Sequence, residues 1–211
     1  LLSDSAGGVS KKFSDSMGEL GDKQKRMLDR IVKAGKQMLE MIATSLDMAK
    51  MERGTLRLNI EDVDLFAAVR TSFENLAGLA EHGGVKLELT ADGRPAGTED
   101  RLTAALDPVH LQRCTDNLVK NAIEASPRGE TVTVAVAEKG GAGRVRVHNR
   151  GEPIPPDVRA TLFHPFSTFG KRGGTGLGAY GVKLLTEAMG GTVSYETGES
   201  GTTFELAFPL R

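Results

Sequence analysis

Two asparagines, Asn117 and Asn121, stand in the segment NLVKNAIEAS, whose apolar spacing predicts a helix. Residues four positions apart lie on one face of an α-helix. Asparagine is a poor residue for a helix interior, so a pair on one face needs an explanation. A carboxamide oxygen suits Mg²⁺, which takes its other ligands from water and phosphate. The alternative is that both side chains only hydrogen-bond to neighbouring loops.

A second segment, VHNRGEPIP, ends a predicted strand at Asn149 and has a glycine at position 151. The side-chain oxygen of Asn149 can accept a hydrogen bond from the exocyclic amine of adenine. Gly151 has no side chain and lets the backbone approach a flat ligand closely. An ordinary turn at the end of a strand is the alternative.

A third segment, GGTGLG at 173–178, places four glycines directly before an apolar run that predicts a helix. Glycine costs backbone entropy, so such a cluster needs a reason. One reason is a loop that wraps a phosphate and delivers it to a helix N-terminus, and the alternative is a surface turn. The segment lacks the Lys-Ser or Lys-Thr pair of a P-loop, and it follows a long irregular loop rather than the strand of a Rossmann fingerprint.

The first element that must position such residues is a long helix over 22–52, with Asp22 as the predicted N-cap and Gly54 as the predicted stop. Its stripe of apolar residues is wider than a two-stranded seam needs, which favours a helical bundle and therefore partners for the helix. Residues 1–21, rich in Ser, Gly and Asp, are typical of a flexible lead-in. The apolar stripe consists of Leu28, Ile31, Val32, Met38, Leu39, Ile42, Leu46 and Ala49.

After residue 54 the pattern changes to short alternating strands and amphipathic helices. The strands are joined mostly as hairpins, so we expect a largely antiparallel sheet with helices on one face. The predicted fold class is therefore α+β, a long bundle helix followed by a two-layer α/β sandwich. The predicted domains are a partial helical region at 1–54 and a second domain at 55–211.

Composition excludes several functions. The net charge is −1, so the chain has no overall basic field for nucleic acid, and aromatic residues at 5% without tryptophan argue against base stacking. No apolar run reaches the length of a membrane span, which predicts no membrane contact for this chain. The only cysteine, Cys114, rules out an internal disulfide and a cysteine-based metal site.

The three segments, in this order and spacing, resemble the sensor histidine kinases of two-component signalling. NLVKNAIEAS resembles their N box, NRGEPIP their G1 box, LFHPF their F box and GGTGLG their G2 box. The helix at 22–52, with ERGTLRLN after it, is similar to the second helix of the dimerisation and phosphotransfer domain and its link to the catalytic domain. The resemblance covers residues 22–210.

This resemblance implies the ATP-binding fold shared by gyrase, Hsp90, histidine kinases and MutL, with ATP and Mg²⁺ as cofactors. Asn121 is the implied metal ligand and, with Asn117, the implied catalytic pair. Asn149 is expected to face adenine above Gly151, the two phenylalanines of the F box to anchor the lid over ATP, and the glycines to wrap the phosphates. The implied nucleotide-binding residues are Asn117, Asn121, Asn149, Gly151, Phe163, Phe166, Lys171, Arg172, Gly174, Thr175, Gly176, Leu177 and Gly178.

The implied activity is transfer of the γ-phosphoryl group of ATP to a histidine and onward to an aspartate in the receiver domain of a response regulator. The implied assembly is a homodimer through the helical region, and the implied location is the cytoplasm, with an upstream membrane anchor left open. The alternative is a nucleotide-binding ATPase or regulatory module of the same superfamily. Hydrolysing relatives carry Glu where this chain has Asn117, which cannot act as a base and so favours transfer.

Three departures from the family pattern stand out. Asn149 occupies the position where the G1 box usually begins with Asp, and Glu124 stands where many members carry a basic residue. None of the four histidines lies in a phosphoacceptor box. We expect the acceptor to have been lost by truncation upstream of residue 1, and a degenerate protein is the alternative. The histidines are His82, His110, His148 and His164.

Overall fold

A computed structural model of the chain describes residues 21–167 and 175–210. The chain forms two compact units that divide between Leu56 and Arg57. Among the described residues, no helix combines the length and apolar character needed to cross a bilayer.

The first unit contains helix α1, Asp22–Glu52. Its N-cap is Gly21 rather than Asp22, because the backbone N–H of Gly21 donates to the side chain of Gln24 at 2.9 Å. The helix ends at Glu52 with Arg53 as its C-cap, and Gly54 follows with a φ of 64°, a conformation that favours glycine. Six apolar residues of α1 are more than half exposed: Met27, Ile31, Met38, Leu39, Ile42 and Leu46.

The second unit alternates strands and helices. Its elements are β1 (Glu61–Asp64), α2 (Leu65–Gly83), β2 (Lys86–Ala91), β3 (Arg94–Pro95), β4 (Thr103–Leu106), α3 (Pro108–Ala125), β5 (Thr131–Lys139), β6 (Ala142–Asn149), α4 (Pro156–Arg159), α5 (Gly178–Ala188), β7 (Thr192–Gly198) and β8 (Gly201–Pro209). A six-stranded sheet has the order β3-β2-β5-β6-β8-β7, and β1 pairs with β4 in a separate two-stranded sheet. The pairing of β2 with β5 is parallel, and the other strand pairs among the described residues are antiparallel.

One face of the large sheet forms the core. Alternate residues of β5 and β6 are fully buried, among them Val134, Val136 and Val145. Alternation of this kind places every second side chain against the helix layer and the rest toward solvent. Helices α2, α3 and α5 supply the covering layer, which confirms the predicted α+β two-layer sandwich.

Helix α3 is fixed at its start and along its length. The carboxylate of Asp107 caps it by accepting from the backbone N–H of His110 at 3.0 Å, and also accepts from the backbone N–H of Asn59 at 2.8 Å. Further along, the hydroxyl of Thr115 accepts from that of Ser72 in α2 at 2.8 Å, and both residues are buried. These contacts set the position of the helix that carries Asn117 and Asn121.

Candidate functional site

The two asparagines of α3 face the first residue of α5. A methyl group placed on Gly178 would lie 3.3 Å from Asn117 Oδ1 and 3.9 Å from Asn121 Nδ2. The Nδ2 group of Asn117 donates to the backbone carbonyl of Arg113 at 3.0 Å, which holds the carboxamide against its own helix. The structure therefore brings the N-box pair and the end of the glycine segment together.

The start of α5 is suited to an anion. The first N–H groups of a helix have no partner within the helix, and the helix dipole adds positive potential at that end. In α5 the helical pattern begins where the N–H of Gly181 donates to the carbonyl of Leu177 at 2.8 Å. Because Asn117 and Asn121 lie beside this end, a bound phosphate would have both carboxamides within reach.

Asn149 and Gly151 lie at the C-terminal end of the same helix. A methyl group on Gly151 would lie 2.3 Å from the carbonyl oxygen of Ala125 and 2.9 Å from Asn149 Nδ2, so glycine is required there. Asn149 is only 4% exposed. The three sequence segments thus converge on α3, two of them at its central face and one at its last turn.

Thr202 in β8 belongs to this site, although the sequence did not single it out. It is directly opposite Asn149 in the β6–β8 register and is 4% exposed. Its hydroxyl is 2.8 Å from that of Thr197 in β7. The preceding Gly201 has a φ of 115°, and a methyl group on it would lie 2.0 Å from the carbonyl oxygen of Asn149. The run GTTF was the available signal, but only the strand register identifies its partner.

A cavity of about 330 Å³ opens beside Gly151, and its lining is His148, Arg150, Gly151, Glu199 and Ser200. Successive residues of a strand point to opposite faces, so the part of this cavity at His148 lies on the sheet face opposite Asn149. Burial lowers the pKa of His148, and the nearby guanidinium groups lower it further. The lowered pKa favours the neutral form of the imidazole.

The two F-box phenylalanines, which were predicted to share one role, have different surroundings in the structure. Phe163 packs edge-on against Tyr195 and Phe204, with ring centroids 5.9 Å and 6.4 Å away. The side chain of Phe166, in contrast, is 70% exposed. Its φ of 64° lies in the left-handed region, which is uncommon for a residue with a side chain.

The backbone of Phe166 lies close to Gly176. A methyl group on Gly176 would lie 2.4 Å from the carbonyl carbon of Phe166, so glycine is required where the two ends of segment 166–176 meet. Leu177 is 5% exposed, and its N–H donates to the hydroxyl of Thr175 at 3.3 Å. The predicted residues Lys171, Arg172 and Gly174 lie outside the described residues.

Hydrogen bonds hold the segment between Asn149 and Phe163 to the β7–β8 hairpin. The N–H of Ile154 donates to the hydroxyl of Thr197 at 3.0 Å. The guanidinium of Arg159 donates to the carbonyl of Ile154 at 2.7 Å, and the hydroxyl of Tyr195 donates to the carbonyl of Arg159 at 3.3 Å. The segment that links the buried asparagine to the F box is thus attached to the hairpin at Ile154 and at Arg159.

The residues beside α5 suit a Mg²⁺ ion that takes most of its ligands from elsewhere. Among the described residues, no group of three His, Cys, Asp or Glu side chains could hold a metal ion unaided. The carboxamides of Asn117 and Asn121 are neutral oxygen donors, of the kind that Mg²⁺ uses together with water and phosphate oxygens. Glu124, one turn beyond Asn121, is exposed.

Residues 106–211 match the family described as histidine kinase-, DNA gyrase B-, and HSP90-like ATPase, and the chain belongs to this family. Two individual relatives give a more specific similarity than the family does. The chain is 33% identical over 178 residues to the sensor protein DivL of Caulobacter vibrioides, covering 83% of this chain and 22% of DivL. It is 30% identical over 206 residues to the sensor histidine kinase CusS of Escherichia coli K12, covering 95% of this chain and 40% of CusS.

Solved structures agree on the fold. The histidine kinase AdeS of Acinetobacter baumannii superimposes with a TM-score of 0.72 at 19% identity, over 98% of this chain and 93% of that one. A second match is to a crystal structure of the histidine kinase ThkA in complex with the response regulator TrrA. The TM-score is 0.64 at 20% identity, over 99% of this chain and 57% of that one. The chain is thus an ATP-binding catalytic region of the sensor histidine kinase type, and it spans less than half the length of DivL and CusS.

Proposed function

We propose that this chain transfers the γ-phosphoryl group of ATP to a histidine side chain, and that the phosphoryl group then passes to an aspartate of a response regulator. The observation that carries the proposal is the convergence on α3. Asn117 and Asn121 lie beside the N-terminus of α5, and the buried Asn149 lies at the last turn of the same helix. In this proposal one helix links a phosphate-binding end to a purine-binding end.

The phosphate end acts through positioning and charge. Phosphoryl transfer needs little covalent chemistry from the protein, and most of the catalysis comes from alignment and electrostatic stabilisation. The free N–H groups of α5 donate to phosphate oxygens, and Asn121 is the proposed ligand of Mg²⁺, which when bound offsets the charge on the phosphates. Asn117 holds its carboxamide toward Gly178 through its bond to Arg113.

The nucleophile is a neutral imidazole, whose free nitrogen lone pair attacks the γ-phosphorus while the β–γ bridging oxygen leaves with ADP. No base is needed to activate such a nucleophile. Of the four histidines, His110 lies in the first turn of α3, His148 on β6, His82 in the last turn of α2 and His164 in the F box, and none of them stands in a phosphoacceptor sequence box. The proposed acceptor is therefore a histidine of a helical domain outside residues 1–211.

A hydrolytic ATPase is the second candidate, because the family description includes ATPases. Hydrolysis needs a base to activate water. The carboxamide of Asn117 cannot take up a proton, and it already donates to Arg113 at 3.0 Å. The transfer reaction is the better supported of the two.

The proposed assembly is a homodimer through α1, and the proposed partner is a receiver domain, as in the ThkA complex. Six apolar side chains of α1 are more than half exposed in the single chain, and a helical bundle would bury them. Because ATP is the donor, the proposed location is the cytoplasm. Sedimentation should show self-association that is lost when residues 1–53 are deleted, and a monomer at high concentration would contradict the dimer.

The activity is tested by incubating the chain with ATP labelled at the γ position, alone and with a histidine-containing helical domain from the same full-length protein. We expect acid-labile label on the added domain and none on the chain alone. Label on the chain alone would show that an acceptor lies within it. Rapid phosphate release without an acceptor would assign the chain to the ATPase class.

The metal role is tested with Asn121→Ala, and Asn59→Ala is the matched control, because Asn59 is exposed and bonds to Asp107 through its backbone N–H, which alanine keeps. Titration calorimetry with Mg²⁺–ATP should detect no binding to Asn121→Ala, whereas Asn59→Ala should bind as the unmodified chain does. Circular dichroism and thermal unfolding establish that both variants are folded. Unchanged affinity in a folded Asn121→Ala variant would rule out this residue as a ligand.

A further inference from the structure

The end of the site that receives the purine base is built around a carboxamide rather than a carboxylate. Asn149 is 4% exposed and lies at the end of β6, with its Nδ2 atom 2.9 Å from the position of a methyl group on Gly151. Among the described residues, no hydrogen bond of its side chain is found. A carboxamide without a protein partner can form its hydrogen bonds with a ligand.

The backbone around Asn149 fixes where this side chain starts. A methyl group on Gly201 would lie only 2.0 Å from its carbonyl oxygen, and the facing residue in the register is the buried Thr202. The hydroxyl of Thr202 is 2.8 Å from that of Thr197, which in turn accepts from the N–H of Ile154. Rotation about the last side-chain bond of Asn149 exchanges the positions of its oxygen and its nitrogen.

That rotation matters because a carboxamide carries an acceptor on one side and a donor on the other. With the oxygen outward it accepts from a 6-amino group, as in adenine. Turned by half a rotation, it donates from Nδ2 to a 6-oxo group, as in hypoxanthine or guanine. A carboxylate has only acceptors, so it pairs with a 6-amino group and repels a 6-oxo group at the same place.

We propose that Asn149 makes the site accept purine nucleoside triphosphates with either a 6-amino or a 6-oxo group. This inference rests on the proposed function, because it assigns the base to the Asn149 end of the nucleotide site. A site with a fixed donor or acceptor pattern rejects the mismatched ligand strongly, since a buried polar group is then left unpaired. A carboxamide that can turn avoids that mismatch for both ligands.

The test compares ATP with inosine triphosphate, which differs at the 6-position and the adjacent ring nitrogen and lacks the 2-amino group of guanine. Titration calorimetry on the full chain with Mg²⁺ should give dissociation constants within about tenfold of each other. For Asn149→Asp the preference for ATP should rise at least tenfold. Asn149→Ala should weaken both ligands without changing their ratio, and thermal unfolding establishes that each variant is folded.

The experiment distinguishes failure of this inference from failure of the proposed function. A preference of the unmodified chain for ATP by about 100-fold or more would overturn the inference and leave the proposed function intact. An unchanged ratio in a folded Asn149→Asp variant would also overturn it, because another group would then set the selectivity. Failure to bind either nucleotide would overturn the proposed function itself, and this inference with it.

Discussion

Gly178 offers a substitution that should separate stability from nucleotide binding. It is the first residue of α5, and its substitution by alanine adds a methyl group to the narrow space in front of the α3 asparagines. That methyl group would lie 3.3 Å from Asn117 Oδ1 and 3.9 Å from Asn121 Nδ2. A distance of 3.3 Å is slightly shorter than an ordinary van der Waals contact, so a small side-chain adjustment accommodates it.

Gly178→Ala is expected to leave folding stability unchanged or slightly increased, but to weaken nucleotide binding. Glycine in a helix is less favourable than alanine by about 0.5–1 kcal/mol, so Gly178→Ala should be as stable as the unmodified chain or slightly more stable. In the complex, however, the methyl group occupies space that a phosphate needs in order to reach the N–H groups of α5. Loss of one such charge-assisted hydrogen bond costs about 1.5–3 kcal/mol, which corresponds to roughly 10- to 100-fold weaker binding.

Gly78→Ala is the matched control for this experiment. Gly78 lies in α2, is exposed, and has nothing within 4 Å of the position of an added methyl group. It should gain about the same helix stability without any change in nucleotide affinity. Urea unfolding measures the first effect, and titration calorimetry with Mg²⁺–ATP measures the second. Unchanged affinity in Gly178→Ala would refute the placement of the phosphate between α3 and α5.

Three further predictions follow from contacts around the site. Thr197→Val removes the acceptor for the N–H of Ile154, so hydrogen exchange at Ile154 should become faster, and urea unfolding should show a loss of about 1–2 kcal/mol. Burial raises the pKa of Asp107, but hydrogen bonds lower it by more. Stability from this lowered pKa is present above the unfolded value of about 4 and is lost as pH falls below it, so the advantage over Asp107→Asn should shrink in urea unfolding below about pH 4. Phe163→Ala should increase limited proteolysis between residues 150 and 167, whereas Phe166→Ala should not, because only the first ring is packed.

Local signals in the sequence were sufficient for most of the fold. Asp64 and Pro108 mark the starts of α2 and α3, where the structure has an aspartate cap and a proline in the first turn. The alternation of valines over 132–136 predicted a strand with one buried face, and all three are fully buried. Such features depend on residues close together in the chain, so spacing alone exposes them.

The spacing of residue types in the sequence could not predict long-range strand pairing or unusual backbone conformations. The contact between Thr202 and Asn149 depends on the β6–β8 register, in which residues far apart in sequence become neighbours. The F box contains two phenylalanines, and spacing did not predict that the ring of Phe166 is exposed, at a residue with positive φ, while that of Phe163 is packed. The parallel pairing of β2 with β5 likewise depends on the crossover through β3, β4 and α3.

Helix α3 explains why distant segments can act as one site. Its central face carries Asn117 and Asn121, and the carbonyl of Ala125 in its last turn lies 2.3 Å from the position that a methyl group on Gly151 would take. A helix rises about 1.5 Å per residue, so the few residues between these points fix a separation of the size of a nucleoside. The buried bond from Ser72 to Thr115 also anchors this helix to α2, so the proposed phosphate end and the proposed purine end would keep their spacing without a ligand.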